Sequence, residues 1–515
     1  MKIERTRNAG RNMFFGILLK INQIILPFLI RTVMIYYMGV NYLGLNSLFS
    51  SVLQVLNLAE LGVGSAMVYS MYKPVAENDY NKICALMLLY KKYYRVIGLI
   101  IAFIGVTLTP FIPRLIQGEV PSDVNIFVLY ILNLLTTVLS YWLFAYRGSV
   151  LIAYQRNDVS SKVALMTGIV QFGLQIVVIV ILKNYYIYII VALLIQILNN
   201  IITAYCAKKI YPQIRACGNL DRIEVKQINK RISDLFTSRI GAVVVNSADT
   251  IVISAFLGLK ILAIYQNYYF ILTAVIGITS IVFYSCTAGI GNSIILESKE
   301  KNYHDLEKFT FLISWIACFC SCCFLCVYQP FMKAWVGKEL MLNMAAVITF
   351  TVYFYIYEIN QLLNLYKDAA GMWHEDRFRP LVTAVANVSL NLLTVKFWGI
   401  YGVLLSTVLS MVLIGMPWLI HNLFTVVFRR DQLQGYLKRL FQYVISSLLL
   451  CGFTYLICSF IQFGSFFTII IRFSVCFILP NMLYMLLYRK TSIYMDCMQL
   501  VNKLTKGKIF FLKRY

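Results

Sequence analysis

The sequence predicts an all-α, polytopic membrane protein of about fourteen transmembrane helices, with two six-helix lobes and two further helices at the C-terminal end. Three observations carry that prediction. Of the 515 residues, 60% are hydrophobic and 13% charged, whereas a soluble domain carries about 25% charged residues; the mean hydropathy is +0.74. Apolar runs of the length a bilayer crossing needs, about 20 residues, recur along the whole chain. The Lys and Arg residues between those runs fall in alternate loops. This inventory excludes a large soluble catalytic domain, a disulfide scaffold, a coiled coil and a nucleic-acid-binding module. The net charge of +24 is a matter of topology.

The runs lie near 13–38, 43–72, 94–112, 124–146, 161–182, 185–207, 237–258, 262–296, 309–328, 344–366, 380–397, 400–425, 441–461 and 466–488. Helix is the reading because barrel strands are only about 10 residues long and alternate polar with apolar side chains. Basic loops stay cytoplasmic. With the first segment inside, 37 of the 46 basic residues are cytoplasmic, six are external (Arg114, Lys183, Lys260, Lys333, Lys338, Lys396) and three lie in spans (Lys20, Arg31, Arg472). Both termini are therefore expected on the cytoplasmic side of the membrane. The opening MKIERTRNAGRN resembles a signal-peptide n-region, but the apolar run after it is too long, contains Arg31 and has no small-residue cleavage site, so an uncleaved first helix is expected.

The loops are short. The longest internal one, expected at 208–236, is basic (Lys208, Lys209, Arg215, Arg222, Lys226, Lys230, Arg231) and suits cytoplasmic retention and anionic headgroups. The longest external ones, 113–123 and 329–343, have no histidine or paired carboxylates, which disfavours an enzyme working on the outer face. A phosphate-binding G-x-x-x-x-G-K-[ST] loop is absent from the sequence, so work would draw on a gradient rather than on ATP. Cys318, Cys322 and Cys326 share a helical stripe inside an apolar run; helix packing is expected of them, and no metal. His304, His374 and His421 are scattered and receive no role.

Division at the basic loop gives an N-terminal lobe over 1–207, a linker over 208–236, a C-terminal lobe over 237–425 and a last segment over 426–515 with spans thirteen and fourteen and a basic tail. Each lobe starts inside, which implies a parallel repeat. Aligning Gly39 with Gly258 matches TVMIYYMGVNYLGLN to TIVISAFLGLKILAIY after a one-residue gap, and puts Lys20 and Arg239 each 19 residues before their glycine. Arg156 to Asp158, ahead of the fifth span, resembles Asp376 to Arg379, ahead of the eleventh.

An ionisable residue within a span costs a few kcal/mol, so it faces a cavity or a partner. Arg31, Glu60, Asp249 and Glu358 meet that description, with Lys20 and Arg239 nearer the inner surface. Arg31, Lys20 and Arg239 are candidates for contact with an anionic headgroup, because guanidinium and ammonium groups satisfy phosphate oxygens. Glu60, Asp249 and Glu358 are candidates for coupling to H+ or Na+, or for balancing charge: Arg31 against Glu60, and Asp249 against Arg239 or Arg31. Amides in the spans (Asn22, Gln23, Asn46, Gln54, Asn57, Asn246, Gln266, Asn267, Asn360, Gln361, Asn364) suit sugar hydroxyls. No catalytic residue and no bound cofactor are expected.

Four stretches carry a resemblance: IRTVMIYYMGVNYLGLNSLFSSVLQVLNLAELGVGSAMVYSMYKPVAENDYNKI, DTIVISAFLGLKILAIYQNYYFI, DAAGMWHEDRFRPLVTAVANVSLNLL and WGIYGVLLSTVLS. In order and spacing they resemble the polysaccharide transporter family, the Wzx-type O-antigen and capsule flippases of the multidrug/oligosaccharidyl-lipid/polysaccharide flippase superfamily. The resemblance runs from the first span to the twelfth. It implies a V-shaped pair of six-helix lobes working by alternating access, and a substrate: an undecaprenyl-pyrophosphate-linked oligosaccharide moved from the inner to the outer leaflet. It also implies a cationic cavity, matched here by position at Arg31, Lys20 and Arg239, and partners among membrane lipids, a polysaccharide polymerase and glycosyltransferases. The rivals are a cation-coupled small-molecule exporter of the same superfamily, a lipid II flippase and a membrane polymerase.

Overall fold

A computed structural model describes residues 5–118 and 120–504. Among these there is no strand. The helices are α1 (Arg5–Tyr37), α2 (Val40–Leu56), α3 (Val63–Glu77), α4 (Tyr80–Leu108), α5 (Ile126–Trp142), α6 (Gly148–Ala153), α7 (Asn157–Val177), α8 (Tyr185–Ile210), α9 (Arg222–Leu257), α10 (Leu259–Leu296), α11 (Lys299–Val336), α12 (Met344–Ala369), α13 (Arg379–Trp398), α14 (Ile400–Ser410), α15 (Met416–Val426), α16 (Leu433–Ser459), α17 (Ser465–Tyr488) and α18 (Ser492–Leu504). The basic tail expected after the last span is described as far as residue 504, and the rest of it lies outside the described residues.

Eleven described helices are long and apolar enough to cross a membrane, and two bent pairs bring the number to 13. The second expected span is one such pair, α2 and α3, bent by 40°; the fourth is α5 with α6, bent by 45°. The tenth expected span coincides with α12, which is 26 residues long but carries Glu358, Asn360, Gln361, Asn364, Lys367 and Asp368. The linker expected at 208–236 is shorter than its charge suggested. Helix α9 begins at Arg222, where Lys82 pairs with Glu224 and the Tyr93 hydroxyl donates to Asn229 Oδ1 at 2.6 Å. These contacts fasten the basic stretch to α4, so it winds into helix instead of running free.

Polar residues outside the apolar runs start the spans. Asp79 accepts a hydrogen bond from the Lys82 amide (3.0 Å), Asn125 from Phe127 (3.0 Å), Asn184 from Ile187 (3.1 Å), Ser298 from Lys301 (3.3 Å) and Asn343 from Ala346 (3.3 Å). Each satisfies an amide that a helix start leaves without an intrahelical partner. The two glycines aligned in sequence adopt matching backbones, Gly39 at φ 105°, ψ 161° and Gly258 at φ 88°, ψ 171°. Both amides reach back five residues, to Met34 O at 3.0 Å and Ile253 O at 3.1 Å, and both positions demand the left-handed side of φ that glycine enters at no steric cost.

The chain divides into two compact units, Met1–Gln266 and Asn267–Tyr515, with the boundary inside α10. In the first unit, a Cβ on Gly44 would lie 2.4 Å from Leu259 O, so α2 approaches the α9–α10 junction more closely than a side chain permits. In the second, α11 packs with α16, α17 and α18 around Phe311, Tyr443, Tyr484 and Tyr494, each under 9% exposed. Lipid tails are as apolar as these rings, so what holds the helices together here is close van der Waals packing rather than exclusion of water.

Each unit contains one buried aspartate netted by cations at a helix start. Asp158 is fully buried. It accepts from Arg156 Nε at 2.9 Å, lies 3.8 Å from Lys162 Nζ, and its amide donates to Asn12 Oδ1 at 2.7 Å. Asp376, 3% exposed, accepts from Arg379 Nε and Nη2 at 2.6 and 2.7 Å and from Asn422 Nδ2 at 3.3 Å. The two sequence stretches that resemble one another therefore build the same device, an aspartate–arginine fork, in reversed residue order. Breaking a buried pair strands its partner charge, at a cost of about 3–5 kcal/mol. Asp376→Ala is expected to lower the melting temperature of the detergent-purified protein by several degrees, whereas substitution of the exposed Asp431 leaves it unchanged.

Candidate functional site: the Arg31 cavity

Helix α1 contains Pro27, which removes one backbone donor within the helix. One turn later Arg31 lines a cavity of about 290 Å³ within the first unit. Amides and hydroxyls form the rest of its polar wall: Asn46 from α2, Asn133 and Thr136 from α5, Gln171 and Gln175 from α7, and Tyr188 from α8. Gln175, 1% exposed, is fixed by donating to Tyr188 O at 3.2 Å, and Gln171 Nε2 lies 3.5 Å from Gln175 Oε1. Among the lining residues Arg31 alone carries a permanent charge. Its Nη1 donates to Gln266 O at 3.5 Å, and Gln266 Nε2 donates to Thr250 Oγ1 at 2.9 Å, a chain of contacts tying α1 to α10 and α9. A guanidinium against neutral dipoles, without a carboxylate on the cavity wall, is an arrangement that accepts an anion.

The other candidates take different places. Lys20 is on α1, eleven residues before Arg31 and so about 16 Å away along the helix; it is half-buried and does not line the cavity. Arg239, exposed on α9, donates to Ser65 Oγ at 3.3 Å. Glu60 ends the short turn Asn57–Glu60 at the α2–α3 bend. The structure places it with tyrosines, not with Arg31: the Tyr94 hydroxyl donates to Glu60 Oε1 at 3.2 Å and receives a bond from Tyr90 at 2.7 Å. Arg239 lies within electrostatic reach of the same carboxylate. Asp249, 7% exposed, is on α9 beside the Thr250 that meets Gln266.

Glu358 belongs to the second unit. It is 1% exposed and accepts from Thr279 Oγ1 at 2.7 Å, while its Oε2 is buried without a hydrogen-bond partner among the described residues. The Asn360 Oδ1 two residues on is buried and unpartnered in the same sense.

Asn46 and Gln266 were legible as polar span residues; Asn133, Thr136, Gln171, Gln175 and Tyr188 were not singled out. The spacing of Gln171 and Gln175, i and i+4 on one helix face, was the signal that would have found them. The side chain of Asn246 lies outside the described residues.

No protein-family model and no curated protein sequence matches the chain. Solved structures do match in fold. The chain superposes on the lipid II flippase MurJ in an inward closed conformation with a TM-score of 0.67 and 16% identity, covering 93% of this chain and 99% of that one. It superposes on an inward-facing multidrug resistance MATE family transporter of the MOP superfamily at 0.58 and 14%, covering 80% and 94%. A point mutant of the Vibrio cholerae MATE transporter VcmN matches at 0.54 and 13%, covering 82% and 97%. The chain has the fold these proteins share.

A guanidinium lining a small polar cavity raises the local concentration of anions. Coulomb interaction across about 8 Å at an effective dielectric of about 20 is worth roughly 2 kcal/mol. A Thr136→Cys thiol is therefore expected to react at least about tenfold faster, relative to a bulk thiol, with an anionic methanethiosulfonate than with a cationic one. Arg31→Gln should abolish that preference, read by mass spectrometry of the residue-136 peptide.

Proposed function

We propose that this chain is a flippase that moves undecaprenyl-pyrophosphate-linked oligosaccharide units from the cytoplasmic to the outer leaflet of a bacterial plasma membrane, for assembly of cell-surface polysaccharide. The observation that carries the reading is the Arg31 cavity, where one half-buried cation is framed by five amide and hydroxyl side chains and a tyrosine. The guanidinium suits pyrophosphate oxygens, the amides suit sugar hydroxyls, and the lipid chain stays in the bilayer. Lys20 and Arg239, each near the middle of its helix, are further cations for the headgroup. In this reading both termini are cytoplasmic and the lobes alternate access between the two faces. Glycosyltransferases supply the substrate, and a polymerase consumes it on the outer face. The protein is a secondary transporter, not an enzyme.

Glu358 is the preferred coupling residue. A buried carboxylate oxygen without a hydrogen-bond partner is costly, and a proton or a sodium ion would relieve it. Glu60 and Asp249 balance charge or share that role. The likeness to a lipid II flippase over 93% of the chain favours one second reading, in which lipid II is the cargo. Small-molecule export, in the manner of a multidrug resistance transporter such as the MATE neighbour, would dispense with Arg31.

Arg31→Ala is expected to reduce movement of lipid-linked oligosaccharide in proteoliposomes by at least tenfold, with the protein still monodisperse. Unchanged transport would contradict the reading and leave the exporter. Glu358→Gln, which preserves the Thr279 bond, should remove the response to an imposed proton or sodium gradient. A response equal to that of the unaltered protein takes Glu358 out of coupling.

A further inference from the structure

The cysteine stripe of α11 meets further cysteines that spacing along the chain does not place beside it. Cys318 and Cys322 come together with Cys451 of α16, and Cys326 with Cys458 of α16 and Cys476 of α17. Within each triad all three sulfur atoms lie within 4.8 Å of one another. Cys326, Cys458 and Cys476 are fully buried, and no disulfide joins described cysteines. Helix packing accounts for small residues on one stripe. It does not account for three helices, α11, α16 and α17, each delivering a thiol to one point.

The second triad differs from the first in its charge and its access. Arg472 sits one turn before Cys476 on α17, and its Nη1 donates to the Cys326 carbonyl at 3.1 Å while Nε and Nη2 hold Ile461 O at 3.2 and 3.0 Å. A guanidinium is thus fixed beside the three sulfurs. Cys458 is the penultimate residue of α16, next to the 460–464 turn where Phe460 and Phe463 are exposed, which gives an ion a short path from the membrane surface.

We propose that Cys326, Cys458 and Cys476 bind one soft monovalent d10 cation, of which Cu(I) is the type. Thiolate sets select such ions over harder ones. A trigonal site with metal–sulfur bonds of about 2.3 Å has sulfurs about 4.0 Å apart, within small rotamer adjustments of the spacing observed. On binding, two of the thiols release their protons and the third coordinates as a thiol. The site then carries one negative charge, which Arg472 neutralises. The closed, three-sulfur setting disfavours zinc, which takes four ligands in structural sites.

The test is an anaerobic titration of the reduced full-length protein with Cu(I) buffered by bicinchoninate, in a Cys451→Ala background that removes the other triad. One equivalent is expected to be held, with X-ray absorption showing three sulfurs at about 2.3 Å. Cys458→Ala and, separately, Cys476→Ser should each weaken retention at least tenfold in protein that remains monodisperse, while the exposed Cys217→Ala does not. Failure of the monodisperse parent to hold copper against the chelator overturns the proposal. So does retention indifferent to both triad substitutions, or a copper site with fewer than three sulfurs.

Discussion

The cost of placing charge in hydrocarbon organises this molecule. An ion within a span is tolerated only where a partner, a cavity or a fixed dipole offsets lost hydration, and the charges here meet that requirement in different ways. Asp158 and Asp376 are enclosed by cations and amides at helix starts. Arg472 is held by the backbone carbonyls of Ile461 and Cys326. Glu60 sits among tyrosines at a helix break. Arg31 faces a cavity, and Glu358 has one oxygen without a hydrogen-bond partner among the described residues. The first three are settled by their neighbours. Glu358 keeps an oxygen for something to arrive, and Arg31 borders a cavity.

That difference separates scaffold from candidate site. A buried fork such as Arg379 on Asp376 makes two short charge-assisted bonds and leaves its atoms little capacity for a ligand. Arg31 makes a long bond to Gln266 O and is surrounded by amides, which can exchange partners without a change of charge. Each unit has its own fork, so the scaffold device is duplicated. The Arg31 cavity belongs to the first unit and the Glu358 carboxyl to the second, which gives the repeat an asymmetric division of labour in the proposed function.

Much of the fold was legible because the bilayer imposes a length on every element. Apolar run length located the helices, and the glycines at 39 and 258 marked two helix junctions with matching backbones. What sequence could not supply was the interruption of spans: the bend at the α2–α3 junction depends on the turn at Asn57–Glu60, which reads as continuous apolar sequence around one acid. The basic stretch after α8 looked like linker because charge runs are usually solvated, yet Lys82 and Glu224 pin it as helix. The charged candidates were visible one at a time. Their company was not: the pairing of Arg31 with Glu60 that sequence suggested gives way to Tyr94 for one and Gln266 for the other. The cysteines on α16 and α17 met the α11 stripe only through tertiary packing, which spacing along one helix cannot reveal.

The central claim is that the Arg31 cavity holds the phosphate end of a lipid-linked sugar. Native mass spectrometry of the purified protein with an undecaprenyl-pyrophosphate-linked disaccharide and with uncharged undecaprenol tests it most directly. The account predicts that the pyrophosphate lipid is retained, that the alcohol is not, and that Arg31→Gln removes the difference. Equal retention of both lipids, or a preference for the pyrophosphate form that survives Arg31→Gln, would contradict it.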